Sequence, residues 1–75
     1  MDDKVEVSEF IVKDDFQKNN IAFKELSLKP NTLVAGIIRN RKTIIPTGED
    51  MFMPNDKVII LAANQRINKL SDILR

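Results

Sequence analysis

Two stretches, Leu33–Ile38 and Val58–Ala63, are apolar for six residues without a break. Read as strands, they turn apolar side chains to both faces of a sheet, because successive residues point to opposite sides. An antiparallel sheet ordinarily leaves one face wet. Two short helices, all that a chain of 75 residues can spare, cover one face of such a sheet but hardly both. The uncovered face then needs a partner, most simply a second copy across a two-fold axis. The alternative cover is the pair of loops over 13–20 and 49–56.

Other functions are bounded by what the composition omits. There is no Cys and no His, which removes disulfides, thiolate chemistry and the commonest general base and metal ligand. Net charge is +1, without the basic excess of a phosphate-tracking nucleic-acid binder. The longest apolar runs are far short of the ~20 residues that span a bilayer. The polar amino terminus Met1-Asp2-Asp3-Lys4 resembles no targeting peptide. The expectation is a soluble intracellular domain with no catalytic residues and no metal.

Along the chain, Val5–Val12 is β-rich, with Val5, Val7 and Ile11 in one phase and Phe10 and Val12 in the other. Either both faces are partly buried, or a bulge near Ser8–Glu9 shifts the phase. Lys13–Asn20 reads as a loop, and Asn19 or Asn20 is placed to cap a short helix over Ile21–Leu26. Phe23 and Leu26 would face the core from that helix. Thr32–Arg39 and Lys42–Ile45 read as a hairpin around Asn40-Arg41, with the turn type open, since Arg41 tolerates positive φ poorly. Lys57–Ala62 reads as a strand, and Asn64 as the N-cap of a final helix to Leu74. The expected fold is therefore α+β: a small antiparallel or mixed β-sheet with a short helix and a C-terminal helix.

Few residue groups suggest chemistry. The pairs Asp2-Asp3, Asp14-Asp15 and Glu49-Asp50 lack the alternating oxygen ligands and central glycine of a calcium loop, and read as solvated charges. Gly36, within a strand, marks a bulge or a close backbone approach. The basic group Arg39, Arg41, Lys42 reads as a wet hairpin tip or as a contact for an anion. No Tyr or Trp accompanies it to stack bases. Met51 and Met53 read as core filler.

In order and spacing, the chain resembles the TrkA carboxy-terminal (RCK_C) domain of bacterial and archaeal potassium-transport regulators. The resemblance is carried by Val5-Glu-Val-Ser-Glu-Phe10, Lys24-Glu-Leu-Ser-Leu-Lys-Pro30, Leu33-Val-Ala-Gly-Ile-Ile-Arg-Asn40, Thr43-Ile-Ile-Pro-Thr-Gly48 and Met53-Pro-Asn-Asp-Lys-Val-Ile-Ile60. It spans nearly the whole chain, so residues 1–75 are expected to form one such domain. Two glycines common in the family are replaced, by Arg41 at the hairpin tip and by Asn55 before the last turn. Asn55 still accepts positive φ, whereas Arg41 implies a different hairpin turn. Such domains usually follow a Rossmann-type nucleotide-binding domain, and nothing in this chain resembles one. Binding of NAD or ATP would belong to that other part.

The resemblance implies a cytoplasmic, non-enzymatic regulatory module that homodimerises. It would act on a membrane potassium channel or transporter subunit through a full-length regulator, with neither membrane insertion nor nucleic-acid binding of its own. It needs no cofactor, but some members bind cyclic di-AMP on the dimer axis. Carried over by position, the ligand residues are Leu28, Lys29, Asn31, Thr32, Leu33 and Pro46. The alternative is the same sensor attached to another transporter or to a transcription regulator.

Overall fold

In the computed structural model, which describes residues 4–75, four antiparallel strands form one sheet. These are β1 (Val5–Ile11), β2 (Thr32–Arg39), β3 (Lys42–Ile44) and β4 (Lys57–Ala63), in the order β1-β4-β2-β3. The two runs that are apolar on both faces are thus neighbours, with β4 inside the sheet. The expected α+β domain holds at the level of a small antiparallel sheet with few helices.

One face of this sheet carries the core. Val58, Ile60 and Ala62 of β4 and Val34 and Ile37 of β2 are buried there, with Val12, Phe52, Ile67, Leu70 and Ile73 packed over them. Phe52 is the aromatic centre, meeting the rings of Phe16 and Phe23 edge-on at 5.6 and 4.7 Å. Phe23 and Leu26 pack against this cluster as expected. Of the methionine pair, Met51 is half-buried and bridges Ala22, while Met53 is exposed, so Phe52 between them fills the core.

The other face is left open. Val5, Val7 and Ile11 of β1 and Leu33 of β2 are more than half exposed (Val7 65%, Leu33 57%). Their neighbours Ile59, Leu61 and Ile38 are half-buried. In β1 the phase richest in aliphatics is therefore the exposed one. Its pairing with β4 runs from Val5↔Ala63 to Ile11↔Lys57 with no break in register. The bulge considered near Ser8–Glu9 lies instead in β2, between Val34 and Gly36. There a Cβ on Gly36 would stand 3.6 Å from the Ile59 side chain, an ordinary contact, and its φ is not positive, so nothing in the structure requires a glycine at this position.

Both helix expectations are corrected. Ile21–Leu26 contains only a 3-10 turn at Phe23–Glu25, which lacks a side-chain cap. Asn20 adopts φ 65 and ends a turn instead. The C-terminal helix is absent: only Leu70–Ile73 forms a 3-10 turn. The reason is local. Asn64 takes φ 59, its N–H donates to the Lys4 carbonyl, and its Oδ1 accepts from the Lys4 N–H. That side chain closes the β1–β4 ladder and is not available as a cap. Ile67, Leu70 and Ile73 of this segment are buried in the core without a helix to carry them, while Leu74 is half-buried.

At the β2–β3 hairpin both central residues are left-handed, Asn40 at φ 51 and Arg41 at φ 66. This is the twist-matched two-residue turn, so Arg41 bears a conformation that glycine would take without strain. Arg39 is not part of a wet tip either. Its Nε and Nη2 each donate to Asp56 at 2.8 Å, and Nη2 also donates to the Met51 carbonyl at 3.0 Å.

Candidate ligand cleft at the free edge of β2

β3 pairs only with Ile37–Arg39, so the first half of β2 has β4 on one side and no strand on the other. A cavity of about 230 Å³ lies along this stretch. Its lining brings together Leu28, Thr32, Leu33 and Pro46 of the expected set, joined by Phe23 and Lys24. Lys29 and Asn31 stand outside that lining.

Backbone ties fix the segment before β2. Leu28 bridges Leu74, the Lys29 N–H donates to the Ile73 carbonyl, and the Arg75 N–H donates to the Ser27 carbonyl. Asn31 turns the chain at φ 60, as an Asn can after Pro30. Its carbonyl accepts from the Ala63 N–H. Gln65 Nε2 donates to the Pro30 carbonyl at 2.8 Å and to Thr32 Oγ1 at 3.2 Å. The cleft wall is thus held by the C-terminal segment and by the turn after β4, which is why it keeps its shape without a helix.

The electrostatics divide the cations. The Lys24 ammonium reaches Glu49 at 2.8 Å, with both side chains solvated, so an anion can replace that carboxylate at little cost. Lys29 lies within the field of Asp72. The Asp72 carboxyl is held below the ordinary carboxylate range chiefly by the Asn68 N–H, then by the Lys69 N–H and the charges of Lys69 and Lys29. Gly48 closes the far side: a Cβ there would come within 3.2 Å of the Lys24 Cβ. Lys24 and Gly48 were not among the residues expected at the site, although both lie within the segments that carried the resemblance. Among the described residues, no group of His, Cys, Asp or Glu could hold a metal ion, and no helix is long and apolar enough to cross a membrane.

A single antiparallel sheet with few helices, one open apolar face and an apolar cleft on its edge is an RCK-like fold. The TrkA-C domain family matches over residues 20–75, and the chain belongs to that family, whose members are regulatory domains of potassium-transport systems. A solved structure described as an RCK domain with cda is similar in fold. Its TM-score is 0.73 at 22% identity, over 92% of this chain and 97% of that one. No curated protein matches.

Proposed function

We propose that this chain is the cytoplasmic regulatory and dimerisation module of a Trk/Ktr-type potassium-uptake system, without catalysis of its own. It binds cyclic di-AMP between two copies and passes the signal to a membrane channel or transporter subunit through the longer regulator that carries it. Its upstream nucleotide-binding domain belongs to the rest of that regulator.

The observation that carries this reading is the cleft on the β2 edge. Its 230 Å³ falls below the roughly 300–1,000 Å³ of complete small-molecule sites, so one copy offers half a site. The exposed Leu33 joins that cleft to the open apolar face, the surface a second copy would cover. A two-fold ligand on a two-fold axis then meets each residue twice. Leu28, Leu33 and Pro46 sandwich the adenines, Thr32 and Asn31 meet base edges, and Lys29 with Lys24 meets the phosphates. The similarly folded RCK domain described with cda supports a ligand of this kind.

Calorimetry of the purified domain against cyclic di-AMP and a panel of mononucleotides tests the reading. The expected result is one cyclic dinucleotide per two chains and no heat from mononucleotides. One ligand per chain, or no binding, would overturn the ligand assignment.

A further inference from the structure

The outer edge of the sheet is β1, and the direction of each of its backbone groups can be read from the bonds at its two ends. At one end the Asn64 N–H donates to the Lys4 carbonyl. At the other the Val12 N–H donates to the Asp56 carbonyl, and the Asn55 N–H donates to the Val12 carbonyl. Lys4 and Val12 therefore both turn their backbone groups inward, and the register between them is unbroken. By the alternation of an antiparallel ladder, Glu6, Ser8 and Phe10 face β4, while Val5, Val7, Glu9 and Ile11 face outward. Among the described residues no side chain or backbone group meets those outward donors and acceptors. The same residues include Val5, Val7 and Ile11, whose side chains are 60%, 65% and 58% exposed. Long, apolar, unprotected edges are what sheet proteins ordinarily avoid.

We propose that β1 is a pairing edge for a second copy of this chain, joining two sheets antiparallel with a two-fold axis at Ser8. That register alone engages all four outward-facing residues of both strands. It places Val5 opposite the partner's Ile11 and Val7 opposite the partner's Glu9. On the core face it sets Glu6 against the partner's Phe10 and Ser8 against the partner's Ser8. No like charges stand directly opposite one another. The two Glu9 carboxylates lie diagonally across the axis, each with its own Lys57 ammonium at 3.9 Å. Pairing also runs the exposed valines and isoleucines into one apolar surface across both sheets. The contact lies on the opposite side of the sheet from the ligand cleft, and β1 lies outside the family-matched residues 20–75. It is independent of the ligand reading and of the dimer that reading needs.

Amide hydrogen exchange resolved along β1 tests this. The expected result is protection at Val5, Val7, Glu9 and Ile11 that rises with protein concentration. By mass action it rises about threefold per tenfold concentration once most strands are paired. Glu6, Ser8 and Phe10 should stay protected throughout by β4. Val7→Pro removes an outward donor and leaves the inner ladder intact. It should abolish the concentration-dependent protection while the inner amides stay slow, which also shows that the variant is folded. The chain has no native Cys, and Ser8 lies on the core face, where packing of the open faces cannot bring two copies together. Ser8→Cys should therefore cross-link under mild oxidation through Cα atoms about 4.5 Å apart, within disulfide reach. Outward amides that exchange fast at every concentration, or a Ser8→Cys variant that stays reduced, would overturn the pairing. Neither result would bear on cyclic di-AMP binding.

Discussion

Arg39 and Asp56 meet through two parallel N–H···O bonds of 2.8 Å, and the carboxylate end of the pair is 1% exposed. Asp56 Oδ2 also accepts from the Met53 N–H at 3.0 Å. The pair ties the end of β2 to the turn that launches β4, and the hydrogen bonding that Arg39 donates to Asp56 is the main reason that the Arg39 pKa is raised. Removing one partner leaves the other unmatched. Arg39→Ala or Asp56→Ala should cost about 3–5 kcal/mol in chemical denaturation. Arg39→Lys should recover only part of that, because an ammonium cannot form the two-pronged contact.

Arg41 occupies the left-handed region at φ 66, which costs an L-residue about 1–2 kcal/mol. Glycine removes that cost but adds chain entropy of about 0.5–1 kcal/mol. Arg41→Gly should therefore raise the thermal midpoint slightly and leave cyclic di-AMP affinity unchanged in calorimetry.

The Asp72 carboxyl is depressed from its ordinary 3.8 by the Asn68 N–H above all. A depressed acid stabilises the fold above its unfolded pKa and loses that contribution as pH falls through the folded pKa. The stability advantage of the wild type over Asp72→Asn should be full at neutral pH and shrink below about pH 4. Denaturation midpoints of the two proteins, compared between neutral pH and pH 2, would show it. A difference that does not change with pH would show that the carboxylate charge plays no part.

Ile37 and Ile38 are adjacent in sequence but lie on opposite faces, Ile37 fully buried and Ile38 half-buried on the open side. Ile37→Asp should unfold the domain, since a lone charge in the core has no compensation. Leu61→Lys, on the open face, should keep the native circular dichroism while shifting sedimentation toward a smaller species.

Calorimetry of variants separates the cleft from its surroundings. Leu28→Ala and Lys29→Ala should each weaken cyclic di-AMP binding by at least tenfold. For Lys29 this follows from losing a charged hydrogen bond of about 1.5–3 kcal/mol at both copies. Arg41→Ala should change nothing, and equal losses from all three would place the ligand elsewhere.

The strands were legible because aliphatic runs between Pro, Asn and Gly admit few alternatives. Thr32–Arg39 and Lys57–Ala63 emerged with nearly the expected bounds. The expected helices do not form because Asn20 and Asn64, which the sequence offers as caps, adopt positive φ and turn the chain, as Asn31, Asn40 and Asn55 also do. Asn serves both roles, and only tertiary context decides between them. For the cleft, position in the family pattern brought Leu28, Thr32, Leu33 and Pro46 together. Lys24 and the Arg39–Asp56 pair stayed hidden, since the contacts that define them join residues 25 and 17 positions apart.

The pairing of β1 with β4 also governs the order of assembly. Val5 lies opposite Ala63, so β1 has no partner in the sheet until residues 57–63 have left the ribosome. β2, β3 and β4 can meet earlier, through shorter loops whose closure costs less entropy. β1 is then the last strand to dock and the first to leave on unfolding. During synthesis its alternating valines wait in the open, where chaperones and proteases would find them first.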